Sequence, residues 1–191
     1  MLDACVLYPA PMRDALLRLA ATNLFKAYWT DQIHEEWINA LLRQGKYSRE
    51  TLEKTRDLMD RHVPDAKVTG YENLIEGIEL PDLDDRHVLA AAIKCKADAI
   101  VTSNLKDFPE ELLAAYQIEI IHPDDFIYYQ IDMAPPICCT AFREQRMALN
   151  KPPMTVDDFL TNLQKQQLPQ PVSLFRQYSG LLLSRPQLNC T

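Results

Sequence analysis

The sequence predicts an α/β fold, a parallel sheet flanked by helices in three layers, with a small helical segment appended at the C-terminus. Three observations predict it. Short apolar runs of strand character alternate with stretches of helical periodicity over the first two thirds of the chain, and such alternation makes a parallel sheet joined by right-handed crossovers. Hydrophobic residues make up 47% and charged residues 25% of the 191, enough apolar side chain to bury a core. Finally, three proline-bearing stretches, "APP" at 134–136, "KPP" at 151–153 and "LPQP" at 168–171, punctuate a tail that reads only as short helices.

Taken in order, "MLDACVL" reads as a short buried strand. "MRDALLRLAATNLF" places Leu16, Leu17, Ala20 and Leu24 at helical spacing. "DQIHEEWINALLRQG" is a second helix, with Asp31 expected as N-cap and Gly45 as its end. "SRETLEKTRDLMDRHV" is a third, capped by Ser48, and "AKVTG" is a short strand candidate. "DDRHVLAAAIKCKA" is a strong helix whose small residues Ala90–Ala92 suit close packing. "DAIVTS" is a buried strand, "PEELLAAY" a helix, "IEIIH" a strand and "PDDFIYYQ" a last helix. In the tail, "TAFREQRMAL", "TVDDFLTNL" and "VSLFRQYSGLLL" are helices, the second opened by Thr155 with Asp158 three residues on, close to a capping box.

Charge divides the chain. Residues 1–130 carry 14 basic and 23 acidic side chains, residues 131–191 carry 6 and 4, and the net charge is −7. The expected units are therefore 1–130 and 131–191. An acidic balance ordinarily disfavours phosphate-rich partners. Five cysteines, Cys5, Cys95, Cys138, Cys139 and Cys190, show no CxxC spacing, which points to a reducing cytosol rather than a disulfide framework or a zinc site. No apolar run is long enough to span a bilayer and no basic region precedes an apolar one at the start, so a cytoplasmic protein away from membranes is expected. With four glycines there is no GxGxxG and no P-loop after the first strand.

One residue does not fit an ordinary buried strand: the carboxylate of Asp3. A lone buried carboxylate is expensive unless it is paired, hydrogen-bonded or bound to a metal. In parallel sheets the functional crevice lies at the carboxyl ends of the strands. Asp3 lies near the end of the first strand, Asp84 and Asp85 open the alanine-rich helix, and Asn104 and Asp107 follow the strand "AIVTS". Glu36 joins them if its helix packs over the first strand. Such like charges must share protons or hold cations, and oxygen ligands suit Mg²⁺ or Mn²⁺.

The runs "LDACVLYPAPMRD", "HEEW" and "LPDLDDRHVLAAAIKCKADAIVTSNLKDFP" resemble a PIN domain over about residues 1–130, and the tail resembles the extra helical segment on some proteins of the VapC toxin type. The resemblance implies a metal-dependent ribonuclease with a PIN-like sheet, the toxin of a toxin–antitoxin pair silenced by a small antitoxin, and commonly a homodimer. Carried over, Asp3, Glu36 and Asp85 match the three family acids, Asp84 is a frequent companion, and Asn104 with Asp107 occupies the fourth position. The resemblance thus implies that Asp3, Glu36, Asp85 and Asp107 are catalytic and, with Asp84, hold Mg²⁺ or Mn²⁺. Asn104, Thr102 and Ser103 would hydrogen-bond the RNA phosphate, and Arg13 and Arg86 would neutralise backbone charge. Tyr8 or Trp37 would stack on splayed bases. The fourth position departs from the family in being Asn104, which shifts weight to Asp107.

Other residues have plainer readings. Glu35 is read as surface and Asp82 as loop. His34, His62, His87 and His122 form no metal-ligand spacing and are read as structural or surface. Cys138 and Cys139 are read as core, Arg143, Arg146, Lys151 and Lys165 as a solvated basic face, and Leu181–Leu183 as a docking face. Two other function classes compete with the nuclease. One is a catalytically inactive PIN-fold module that binds RNA or protein. The other is a phosphohydrolase of the haloacid-dehalogenase type, which wants a second Asp where this chain has Cys5.

Overall fold

The computed structural model describes residues 1–150 and 152–178; the expectations placed on Lys151, Leu181–Leu183 and Cys190 lie outside the described residues. Two parallel strands, β1 (Ala99–Val101) and β2 (Glu119–Ile121), pair in register, Ile100 against Ile120. Backbone hydrogen bonds carry the same direction outward. Leu2 bridges Val101 in parallel, Leu2 N donates to Tyr28 O at 2.8 Å, and Trp29 bridges Lys67 in parallel. The extended segments therefore lie in the order Lys67, Trp29, Leu2, β1, β2. The expected parallel sheet is present but short, with three of its five members reduced to a bridge.

The first of these corrects the sequence reading. "MLDACVL" is not a strand throughout: Leu2 makes one bridge, and Ala4–Leu7 turns into a helix, α1. The cause is local. Asp3 sits in extended backbone and its Oδ1 accepts from Ala4 N at 2.6 Å, so the carboxylate caps the turn that ends the strand. Likewise "AKVTG" forms no strand beyond the Trp29–Lys67 bridge.

Around the sheet stand α2 (Ala10–Ala21), α3 (Asp31–Leu42), α4 (Arg49–His62) and α5 (Arg86–Cys95). Ser48 caps α4 as expected, its Oγ accepting from Thr51 N. The cap of α3 is Thr30 rather than Asp31; Thr30 Oγ1 accepts from Ile33 N at 3.0 Å, while Asp31 pairs with Lys67. In α5, Ala90, Ala91 and Ala92 are wholly buried, and their missing bulk lets the helix lie against β1. It ends at Lys96 in the left-handed region, at φ 55°. Between α4 and α5 runs a 3₁₀ turn, Glu72–Gly77, that packs on α5.

After β1 come a 3₁₀ turn, Leu105–Asp107, and α6 (Glu110–Leu113); after β2 come α7 (Pro123–Met133), α8 (Pro135–Ala148), α9 (Val156–Lys165) and α10 (Pro169–Gln177). Helix α7 runs through the composition shift at residue 131 and packs on both α8 and α10, while α8 packs on α2. Buried polar bonds fix this docking. Gln145 Nε2 donates to Pro11 O at 2.7 Å, and the Asp124 carboxylate accepts from Gln170 N and Nε2 at 3.1 and 3.0 Å. Cys138 and Cys139 are buried, and Phe142, Phe159 and Phe175 form a ring cluster beneath them. Among the described residues no helix is long and apolar enough to cross a membrane.

Candidate active site

At the carboxyl end of the sheet, Asp85 collects the acids. It stands at the head of α5 but makes no side-chain cap bond, so its carboxyl is not consumed by the helix. Burial first, then the charges of Asp3, Asp82, Asp107 and Glu36 in that order, push the Asp85 carboxyl up from 3.8 to about 7. Those carboxylates arrive from four places: the end of the first extended segment, α3, the turn before α5 and the turn after β1. Asp82, read from sequence as loop, thus belongs to the cluster.

Asp3 is 4% exposed and held from three sides. Its Oδ1 takes Ala4 N; its Oδ2 takes the Thr102 hydroxyl at 2.7 Å and the Cys5 thiol at 3.0 Å. Thr102 Oγ1 in turn accepts from Asn104 N at 3.0 Å, and Cys5 Sγ accepts from Ser103 N at 3.2 Å. Burial, then the neighbouring Asp3 charge, push the Cys5 thiol up to about 12, so it stays protonated and donates. Thr102, expected to contact phosphate, is wholly buried and instead fixes the orientation of Asp3. Ser103 and Asn104 are exposed at the rim, and Asp107 closes the 3₁₀ turn that follows them.

Glu36 leaves α3 toward the head of α5, where its Oε1 lies 2.6 Å from His87 Nε2. The contact is close but not aligned as a hydrogen bond, and neither ring nitrogen of the buried His87 has a hydrogen-bond partner. Sequence reading missed His87 as a site neighbour. The signal was there, because it lies one turn before Ala90 and Ala91 on the buried stripe of α5. Glu35, one residue before Glu36, faces solvent and pairs with Arg49.

Two other expectations, those for Arg13 and Trp37, are corrected. Arg13 is only 8% exposed; its Nη1 donates to Leu7 O at 2.5 Å and its guanidinium lies 4.7 Å over the Trp37 ring. It holds α1, α2 and α3 together rather than facing RNA. Arg13→Met is therefore expected to lower stability by about 1–3 kcal/mol while leaving RNA affinity unchanged, measured by thermal melting alongside fluorescence anisotropy. Trp37 is 1% exposed and its indole N–H donates to His34 Nδ1 at 3.0 Å, so it offers no face to a base. Arg86 spends its Nε on Leu83 O at 3.0 Å, within its own turn. Tyr8 is half-buried and its hydroxyl accepts from Gln44.

The donor set suits a hard divalent cation in kind, being carboxylate oxygens whose burial and crowding push the Asp85 carboxyl up. Among the described residues no three His, Cys, Asp or Glu side chains stand close enough together to form a closed metal-binding set. Mg²⁺ characteristically retains waters that can span such gaps.

Residues 1–106 match the family model described as PIN domain, and residues 123–177 match the one described as VapC50 C-terminal domain. Over 101 residues the chain is 41% identical to the protein named "Putative ribonuclease VapC50" of Mycobacterium tuberculosis (strain ATCC 25618 / H37Rv), which is 53% of this chain and 59% of that one. The alignment thus spans less than two thirds of that relative's length. No solved structure matches the chain. Because the first match alone takes in more than half of the residues, the chain belongs to the PIN-domain family, as a VapC-type member with a helical C-terminal extension.

Proposed function

We propose that this protein is a metal-dependent endoribonuclease that hydrolyses phosphodiester bonds in RNA with Mg²⁺ or Mn²⁺, and that it is the toxin of a pair silenced by a small antitoxin protein. The observation that carries the reading is the convergence on Asp85 of carboxylates from four separate chain segments. The name of the relative, which includes the word ribonuclease, supports it.

Asp3, Glu36, Asp85 and Asp107 would hold the cation, directly or through its waters. Once bound, the cation supplies positive charge for the phosphate and acidity for a coordinated water. The chain's own residues do the rest. Thr102 and Cys5 keep the Asp3 carboxylate turned into the notch, so its orientation is set before substrate arrives. Asp85, its carboxyl pushed up to about 7 by burial and the neighbouring acids, would have to give up its proton to hold a cation. Ser103 and Asn104, exposed after β1, would hydrogen-bond a phosphate. Arg86, half-buried at the head of α5 next to Asp85, would add a positive charge.

The test is cleavage of a labelled RNA by protein stripped with a chelator, then resupplied with Mg²⁺ or Mn²⁺. Cleavage is expected to vanish and return, and to be lost in Asp3→Asn. Equal cleavage by the stripped protein, or by Asp3→Asn, overturns the reading.

A further inference from the structure

Beside the acids, one buried polar side chain has no part in the chemistry described so far. His87, the second residue of α5, is 2% exposed. Among the described residues neither of its ring nitrogens has an aligned hydrogen-bond partner, and a buried polar group left so is costly and calls for an explanation. The group it faces is Glu36, whose Oε1 lies 2.6 Å from Nε2.

At that distance a nitrogen and a carboxylate oxygen need a proton between them, because two lone pairs repel. Nε2 is therefore the nitrogen that carries hydrogen. The two side chains differ in freedom. The ring is buried, whereas the Glu36 side chain is 39% exposed and able to turn. Alignment is then a matter of the carboxylate settling on a fixed ring, and such bonds are often poorly aligned in a free enzyme and tighten when it is loaded. The place of the ring matters as much. Asp85 stands two residues before it at the head of the same helix. Whatever holds Glu36 to His87 therefore fixes it relative to Asp85, although the two acids come from different helices. Among the described residues Glu36 has no other ion pair or side-chain hydrogen bond. Left unheld, a glutamate facing other carboxylates turns to water.

We propose that His87 is the positioning residue of Glu36: its Nε2–H holds Oε1 and leaves Oε2 for the cation. This rests on the ribonuclease reading above. His87 itself touches neither RNA nor cation. It acts as the hydrogen-bond partner that orients a ligating carboxylate. A purely structural role in the core would need only the bulk of the ring, which leucine supplies. The positioning role needs an N–H at the place of Nε2, which the amide of glutamine supplies and leucine does not.

The test titrates Mn²⁺ into chelator-stripped protein and reads binding by calorimetry. His87→Leu is expected to weaken Mn²⁺ roughly tenfold, and His87→Gln to regain most of that loss. In a Glu36→Ala background His87→Leu should change the affinity by less than about twofold, because the residue it acts through is gone. Parent-like Mn²⁺ binding by His87→Leu, no recovery in His87→Gln, or the full loss from His87→Leu without Glu36 overturns the proposal. Imidazole nitrogen spectra at pH 8 reach the same point with the buried ring left in place. The parent should carry the His87 proton on Nε2, and Glu36→Ala, on the helix surface, should shift that nitrogen. A proton on Nδ1, or an Nε2 signal that Glu36→Ala does not move, overturns it as well. RNA cleavage separates this from the ribonuclease reading. A parent that cuts with Mn²⁺, beside a His87→Leu variant that binds Mn²⁺ equally well, loses the positioning role alone. A parent that does not cut with Mn²⁺ loses the ribonuclease reading, and the role with it.

Discussion

Asp85→Asn is expected to abolish RNA cleavage and, at the same time, to make the bare protein more stable above pH 7. The two effects share one origin. In the folded chain Asp85 is partly desolvated and faces four other carboxylates, so it keeps its proton up to about pH 7, against 3.8 ordinarily. The unfolded chain gives that proton up near its ordinary value. Between those limits the folded state binds the extra proton, and by linkage its stability falls as pH rises across the window. Above pH 7 the folded protein carries the full burden of an ionised Asp85. An amide carries none. Asp85 is only half-buried, so solvent screening reduces the gain to roughly 1–2 kcal/mol. At about 2–4 °C per kcal/mol this is a rise in Tm of about 2–8 °C. Below pH 4 the variant and the parent should melt together. Loss of cleavage should exceed about 100-fold, since removing even an outer partner of a metal ligand ordinarily costs 10–100-fold. Mg²⁺ or Mn²⁺ should raise the Tm of the parent at pH 8 and do much less for the variant. Melting curves at pH 4 and pH 8, with and without cation, give the answer. A variant no more stable than the parent at pH 8 would remove the electrostatic crowding on which the site rests.

How much of this was legible in the sequence depends on the range of the interaction involved. Ser48 before α4 and Thr155 before α9 announce their helices because a cap and its amide lie three residues apart. The Ala90–Ala92 run announces a helix that must lie close to a strand, and it does. Asp3 was legible as an anomaly, but not as the residue that ends its own strand, because a carboxylate in extended backbone caps the next turn only where the chain is free to bend. Arg13 and Trp37 read as surface groups on helices. What buries them is each other, across the α2–α3 contact, and no local pattern carries that. The same holds for Thr102, whose hydroxyl bonds a carboxylate 99 residues away. Asp82 and Asp84 are separated by a single residue in an irregular turn, so periodicity cannot say which of the two acids bears on Asp85.

The polar core behind the site supplies the second large effect: Asp60→Ala is expected to lower stability by about 2–5 kcal/mol, with a Tm drop of about 4–20 °C. Asp60 Oδ1 lies at the centre of a chain of rings. Trp29 Nε1 donates to it at 2.9 Å, and His34 Nε2 lies 3.1 Å away. Trp37 Nε1 donates to His34 Nδ1, which makes Nδ1 the acceptor and leaves the proton on Nε2 to point at Asp60. Trp29 and His34 are wholly buried, so removal of the carboxylate strands two N–H donors away from water. Asp60→Asn keeps an acceptor oxygen and should recover most of the loss. The imidazole also sets a pH dependence. Burial holds the His34 pKa below its ordinary 6.5, while the Asp60 bond works the other way. The folded state therefore resists a proton that the unfolded chain accepts, so stability is full above pH 6.5 and falls as the medium is acidified below it. Without Asp60 that resistance grows, and the fall should steepen. Denaturant melts of parent, Asp60→Ala and Asp60→Asn at pH 8 and pH 5.5 test both points. If Asp60→Ala melts like the parent at pH 8, the ring chain is not what joins α4 to α3. Because Glu36 rides on α3 between His34 and Trp37, that joint also fixes the helix from which the acid reaches the notch.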